Sequence, residues 1–210
     1  MFTPKRSITK AVLAVVVCLA FTAASCNVAQ WIATAQADLP IVLQIVANIL
    51  SIISLAQSQQ QINPNVAANI QKYGAEAENL LVTLCGKVSV SDTKCAPDSL
   101  IGQYQAADAS AKAALLPKID AALASIQSHM NAILQIAHVT DQKIQIALTG
   151  AVTLVLTTLL AIQSLIPAPA NATAARRALT PYPQWLLSRK DLKKAYNVQV
   201  APQFPALALN

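Results

Sequence analysis

Glycine, aromatic residues and charge are all scarce in this sequence. Its 210 residues include four glycines, 4% aromatic residues and 11% charged residues, whereas 55% are hydrophobic. Sandwiches and barrels depend on many glycine-containing turns and on aromatic residues in strands, so both are disfavoured. The high apolar content excludes a disordered chain. The composition therefore predicts an all-α domain.

Sequence patterns typical of catalysis are also missing. The sequence has no glycine-rich phosphate loop and no G-x-S-x-G motif. Its two histidines, His129 and His138, lie nine positions apart, which places them on opposite faces of one helix. Glu76 and Glu78 are two apart and point in different directions. We predict no enzyme, no cofactor and no metal site, although acid–base residues far apart in sequence would leave no such pattern.

Positive charge is concentrated at the two ends of the chain. The net charge is +6, but residues 26–175 carry six basic and eight acidic residues. A nucleic-acid-binding domain more often spreads its basic residues over a folded face. We therefore predict no nucleic-acid partner.

Residues 1–25 have the organisation of an export signal. Lys5, Arg6 and Lys10 precede an apolar run at residues 11–21, and small residues follow it. An apolar run of this length is too short to span a membrane. The sequence predicts an exported protein.

Cys26 follows this segment directly. Ala23-Ala24-Ser25-Cys26 resembles the lipobox of bacterial lipoproteins, although the usual pattern favours leucine at the position of Ala23. The resemblance covers this short segment alone. It implies cleavage before Cys26, lipidation of that cysteine and, from Asn27, delivery to an outer membrane where the organism has one.

Counting cysteines favours lipidation. Cys18 leaves with the signal, and Cys85 and Cys95 are predicted to form a disulfide because the chain enters an oxidising compartment. Cys26 is then unpaired, which lipidation would explain. The alternative is ordinary signal cleavage after Ser25, since Ala23 and Ser25 also fit a small-x-small site.

Residues 144–166 form an uncharged apolar stretch that is long enough to cross a membrane. The polar residues within it favour a soluble core helix instead. Thr149, Thr153 and Thr157 recur every four residues, and we expect this ridge to pack against another helix. Residues 41–55 form a second apolar segment, which is too short for a comfortable span.

Four long helices are expected in the mature chain. The first, residues 28–57, should bend at Asp38-Leu39-Pro40, and the second should begin at Asn63-Pro64 and end at Gly86. The third should run from Asp98 or Ser99 to about His138, with a kink or a split at Pro117. Thr140 should cap the fourth helix. Apolar positions recur at steps of four and three on the second and third of these helices. On the second helix they are Val66, Ile70, Tyr73, Ala77, Leu80 or Leu81, and Leu84. On the third helix they are Ile119, Leu123, Ile126, Met130, Ile133 and Ala137.

The tail, residues 167–210, should contain one short helix that begins at a capping box of Ser188 and Asp191. Its candidate contact residues for an anionic surface are aromatic or basic, and they are Trp185, Arg189, Lys190, Lys193 and Lys194. The alternative is that this helix packs back on the domain.

The sequence as a whole predicts a signal peptide (1–25), an antiparallel four-helix bundle (26–166) and a basic tail (167–210). We expect a non-catalytic lipoprotein of the cell envelope, periplasmic or at the cell surface, attached to the membrane by its lipid and free to meet an envelope protein or an anionic surface. Two alternatives remain: a membrane-active protein that inserts its two apolar helices, and a carrier of an apolar ligand held between them.

Overall fold

The computed structural model describes residues 7–166 and 188–210, with side-chain contacts from Trp31 onward. All regular structure in these ranges is helical, as predicted. The helices are α1 (Ser7–Ser58), α2 (Pro64–Cys85), α3 (Leu100–Ala106), α4 (Ala109–Ile136), α5 (Gln142–Leu165), α6 (Arg189–Val200) and a short 3₁₀ helix (Pro205–Leu207).

Helix α1 is longer than the sequence indicated. It begins at Ser7 instead of Val28, and it continues through Pro40. Proline lacks the amide hydrogen that an α-helix normally uses, so the helix gives up one hydrogen bond there. Leu39 and Ile41 are fully buried on either side, and their packing helps to hold the helix across this position.

Helix α2 has the predicted ends. The side chain of Asn63 accepts a hydrogen bond from the amide of Asn65, and Pro64 occupies the first turn. Gly86 closes the helix with a φ of 87°, a backbone conformation that favours glycine. Ile70, Ala77, Leu81 and Leu84 are buried along one face, whereas the predicted seam residues Val66 and Tyr73 are only partly buried.

The third predicted helix is divided, but not at Pro117. It ends as α3 at Ala106, and α4 begins after Asp108, whose side chain accepts a hydrogen bond from the amide of Ala111. The local capping interaction decides where the break falls, and α4 passes through Pro117. The buried face of α4 includes every seam residue predicted within it.

Two predictions about α5 are wrong. Its N-cap is Asp141, which accepts hydrogen bonds from the amides of Lys143 and Ile144, whereas the amide of Thr140 is bonded to the carbonyl of Gln61. The threonine ridge is not a packing surface, because Thr149 and Thr153 are exposed. Alanine, valine and leucine side chains on the opposite side fill the core instead.

Helix α1 lies at the centre of the protein. It packs against α2, α5, α6 and α3, while α4 packs against α2 and α5. Leu192, Tyr196 and Val200 of α6 and Leu209 beyond it belong to the same hydrophobic core. Residues 188–210 therefore pack onto the helical domain. This is the alternative that the sequence left open for the tail helix.

Two helical segments are long and apolar enough to cross a membrane by length and composition alone. They are Trp31–Ser58 and Gln142–Leu165, with mean hydropathies of 2.2 and 2.0. In an 18-residue apolar window of each segment, 67% and 61% respectively is buried within the protein. Core helices of soluble proteins share these properties.

Candidate functional site

The clearest concentration of polar contacts lies where residues 188–210 meet α1 and the disulfide loop. The sulfur atoms of Cys85 and Cys95 are 2.01 Å apart, so they are at disulfide distance, as predicted. The loop between them approaches α6, and the Arg189 guanidinium donates hydrogen bonds to the carbonyls of Val90 and Asp92. Arg189 thus links the start of α6 to this loop.

Asp38 of α1 is a carboxylic acid inside the core. It is 0% exposed, and neither of its oxygens has a hydrogen-bond partner within the described residues. Burial raises the pKa of Asp38 to about 7, and the positive charge of Arg189 opposes part of that rise. The group is therefore neutral in mildly acidic solution and begins to ionise near neutrality.

Asn48, almost three helical turns beyond Asp38, forms the centre of a hydrogen-bond network. Its amide nitrogen donates to the Tyr196 hydroxyl (2.8 Å) and to the Leu207 carbonyl (3.0 Å), while its oxygen accepts from Gln44 (3.1 Å). Burial raises the pKa of Tyr196 to about 12, and the hydrogen bond from Asn48 lowers it in part. Buried amides and hydroxyls with such partners fix one arrangement of the helices that carry them.

The last residues of the sequence lie along the same surface. Asn197 of α6 holds Leu209 at both main-chain groups, because its amide nitrogen donates to the carbonyl (2.9 Å) and its oxygen accepts from the amide (2.8 Å). The Lys193 ammonium donates to the backbone oxygen of Asn210. A cavity of about 160 Å³ remains beside these residues and is lined by Gln44, Asn48, Val90 and residues 206–210.

The predicted basic surface is therefore only partly available. Arg189 and Lys193 form contacts within the protein, whereas Lys190 and Lys194 are exposed. Trp185 lies outside the described residues, and the side chain of Cys26 lies outside those whose contacts are described. Lipidation of Cys26 stays a prediction.

His129 lies within α4, and His138 follows the end of that helix. His129 Nδ1 is 3.4 Å from a carboxylate oxygen of Glu76, and its ring stacks on Tyr73. His138 is therefore not on the same helix as His129. Within residues 31–166 and 188–210, no three histidine, cysteine or carboxylate side chains are grouped as metal ligands.

A second cavity, about 520 Å³ and open to solvent, lies at the disulfide junction. Its lining comes from the end of α2, the loop and the start of α3, and it comprises Val82, Thr83, Gly86, Lys87, Ala96, Asp98, Ser99, Leu100 and Gln103. Neither cavity is lined by α5. An apolar ligand between the two apolar helices thus gains no support from these cavities.

Asp38 was predicted only as part of a bend, and its burial was not predicted. A signal was present, because Asp38 is the only charged residue between Lys10 and Lys72. A lone charge inside an apolar helix requires an explanation. Asn48 left a weaker signal, since it shares a narrow polar face with Gln44, Ser51 and Ser54, and nothing in the sequence says which of them is covered.

No protein-family model, no curated protein and no solved structure matches this chain.

Proposed function

We propose that this chain is an exported, non-catalytic lipoprotein of the cell envelope with a structural or binding role. The basic and apolar parts of residues 1–25 and the position of Cys26 support export and lipid attachment. The observation that carries the proposal is that, in each of the two apolar segments, most of an 18-residue apolar window is buried within the protein. A lipid on Cys26 would then provide the membrane attachment.

The architecture proposed for this role is a four-helix bundle of α1, α2, α4 and α5, with antiparallel neighbours. Each of these helices contacts two others of the set, in the cyclic order α1, α2, α4, α5. The amide of Thr140 bonds to the carbonyl of Gln61, so the connections before α2 and before α5 lie together. Short connections of this kind favour antiparallel neighbours.

Metabolic labelling with palmitate tests the lipid attachment. We expect label on the wild-type chain and on a Cys18→Ser variant, since Cys18 leaves with the signal, but none on a Cys26→Ser variant. Cell fractionation then tests the bundle. Release of the Cys26→Ser protein in soluble form is expected, whereas retention in the membrane after carbonate washing would contradict the proposal.

The second candidate is a membrane-active protein, and one observation favours it. The segments Trp31–Ser58 and Gln142–Leu165 both meet the length and hydropathy of membrane spans. Insertion would require residues 188–210 to leave α1, because Tyr196 and the Leu207 carbonyl share hydrogen bonds with Asn48. Leakage of dye from vesicles measures this activity, and we expect none from the folded protein.

A further inference from the structure

We propose that the protein stands upright on a lipid bilayer, with the disulfide end of the helical domain in contact with the lipid headgroups. The disulfide end comprises the loop of residues 86–97, helix α3 and the first turns of α4 and α6. This position of the membrane specifies the envelope role proposed above, and it rests on the lipid proposed for Cys26.

The disulfide end surrounds the first packed turns of α1. The rings of Trp31 in α1 and Tyr104 in α3 are 5.0 Å apart. One turn further along α1, the Gln36 amide donates a hydrogen bond to Gln105 at 2.6 Å. The part of α1 that follows Cys26 directly is therefore the part that packs against α3.

The starts and ends of the other helices agree with this placement. Arg189, at the start of α6, donates to two carbonyls of the disulfide loop. The opposite, glutamine-containing end comprises residues 58–63 and 137–141, where the Thr140 amide bonds to the Gln61 carbonyl. The segment of α1 between the two ends, Trp31–Ser58, has 28 residues, so the ends are about 40 Å apart.

Cys26 is too close to the packed domain for a flexible tether. It lies five residues before Trp31, and α1 is helical across both positions. Five helical residues rise only about 8 Å, and Trp31 is already 0% exposed. A lipidated cysteine lies at the level of the headgroups, because its acyl chains are buried in hydrocarbon. The lipid therefore holds the disulfide end against the bilayer.

The central position of α1 favours an upright protein over one that lies on its side. Because α2, α3, α5 and α6 pack against α1, a bilayer along the side of the domain would meet those helices first. The axis of α1 would then be roughly 13–15 Å above the bilayer surface, given the usual spacing and width of packed helices. Cys26 would be raised by a similar distance, and part of its acyl chains would be exposed to water.

The disulfide end presents charges of both signs to the headgroups. Among the residues that the structure describes there, the exposed basic ones are Lys87, Lys94 and Lys190. The exposed acidic ones are Asp92, Asp98 and Asp108. Zwitterionic headgroups also carry both signs, whereas attraction to anionic lipids requires an excess of basic residues. The orientation should therefore be the same with and without anionic lipids.

Energy transfer from the protein to the bilayer tests the orientation. The mature lipidated protein receives a donor dye at one introduced cysteine and is incorporated into phosphatidylcholine vesicles that contain a headgroup-labelled acceptor lipid. Thr93→Cys marks the disulfide end and Gln59→Cys the opposite end. Ala124→Cys on α4 and Lys194→Cys on α6 mark two sides of the domain about half-way along it. All four positions are exposed.

We expect transfer from Thr93→Cys to be several-fold stronger than transfer from Gln59→Cys, because the two ends differ in height by about 40 Å. The two labels on the sides should give similar, intermediate values. The order should persist when phosphatidylglycerol replaces part of the phosphatidylcholine. Circular dichroism verifies the fold of each variant, and Lys94→Cys and Ser58→Cys replace either end variant that loses its helices.

Stronger transfer from Gln59→Cys than from Thr93→Cys would overturn the proposal. Strongest transfer from one of the two side labels would overturn it as well, since that result is expected of a protein lying on its side. Equal transfer from all four labels would indicate a loose tether and would also contradict it. In each case palmitate labelling of Cys26 would still succeed, whereas failure of that labelling would contradict the proposed function itself.

Discussion

The apolar segments of α1 and α5 have nearly the same mean hydropathy, 2.2 and 2.0, but they differ in how their buried polar residues are satisfied. In α1, Asp38 and Asn48 lie inside the protein, beneath residues 188–210. In α5, Thr149 and Thr153 face outward, and the core side is apolar except for Thr158, whose hydroxyl donates to the Leu154 carbonyl of the same helix. Thus the buried threonine of α5 is satisfied within its own helix, whereas the buried Asn48 of α1 is satisfied by residues 188–210.

This difference shows what an apolar run does and does not specify. High hydropathy identifies helices that must be buried against other helices or in lipid, and both segments have high hydropathy. Whether a polar residue is buried depends on which elements pack against its helix. For α1 these elements are α2, α3, α5 and α6. A buried polar residue then requires a partner from a distant part of the chain, as Asn48 finds in Tyr196.

The largest expected effects come from truncating core residues on either helix. Ile45→Ala in α1 and Leu159→Ala in α5 should each lower the free energy of unfolding by about 2–5 kcal/mol, because both side chains are 0% exposed. Ile146→Ala is the matched control on α5, since Ile146 is 57% exposed, and it should cost less than about 0.5 kcal/mol. Urea denaturation followed by circular dichroism measures all three. Equal costs at Leu159 and Ile146 would mean that α5 is not packed as described.

Asp38 should make α1 sensitive to pH. Its pKa is 3.8 ordinarily and about 7 in the fold, so the folded protein binds more protons than the unfolded chain between these values. The contribution of Asp38 to stability is therefore most favourable below about pH 4, falls as pH rises to about 7 and is constant above that. The full difference corresponds to up to roughly 4 kcal/mol.

The Asp38→Asn variant tests this pH dependence. We expect it to be more stable than wild type at pH 8 and about equally stable at pH 4, as measured by urea denaturation at each pH. Asp120→Asn is the comparison, because Asp120 is a partly buried acid on α4 that accepts a hydrogen bond from Gln163. A stability difference between wild type and Asp38→Asn that does not change with pH would contradict the assignment.

Removing the hydroxyl of Tyr196 should have a smaller effect. In Tyr196→Phe the Asn48 amide loses one acceptor but keeps the Leu207 carbonyl, so we expect a loss of about 1 kcal/mol. Tyr73→Phe, at a partly buried tyrosine that stacks on His129, is the control and should cost less. Hydrogen exchange at the amide of Leu209 should quicken in Tyr196→Phe alone.

Local signals predicted much of the fold because they act within a few residues. The cap at Asn63, the stop at Gly86, the N-cap at Ser188 and the seam of α4 were predicted and are confirmed. The break at Ala107–Asp108 was missed because two residues compete as the place where the helix divides. They are Asp108, whose side chain caps α4, and Pro117, where the break was predicted. The candidate site was not predicted, since Asn48, Asn197 and Leu209 are distant in sequence and only the tertiary fold brings them together.

The threonine ridge of α5 provides the last and smallest effect. Thr149→Val and Thr153→Val together should change the free energy of unfolding by no more than about 0.5 kcal/mol, because both side chains face solvent. Ala151→Val on the core side is the control, and adding two methyl groups there should cost about 1–3 kcal/mol, since Ala151 is 1% exposed. Thermal unfolding compares these variants with wild type. The opposite result would be a larger loss of stability in the threonine pair than in Ala151→Val. The threonine face of α5 would then be the buried face, and α5 would resemble α1 in burying polar residues there.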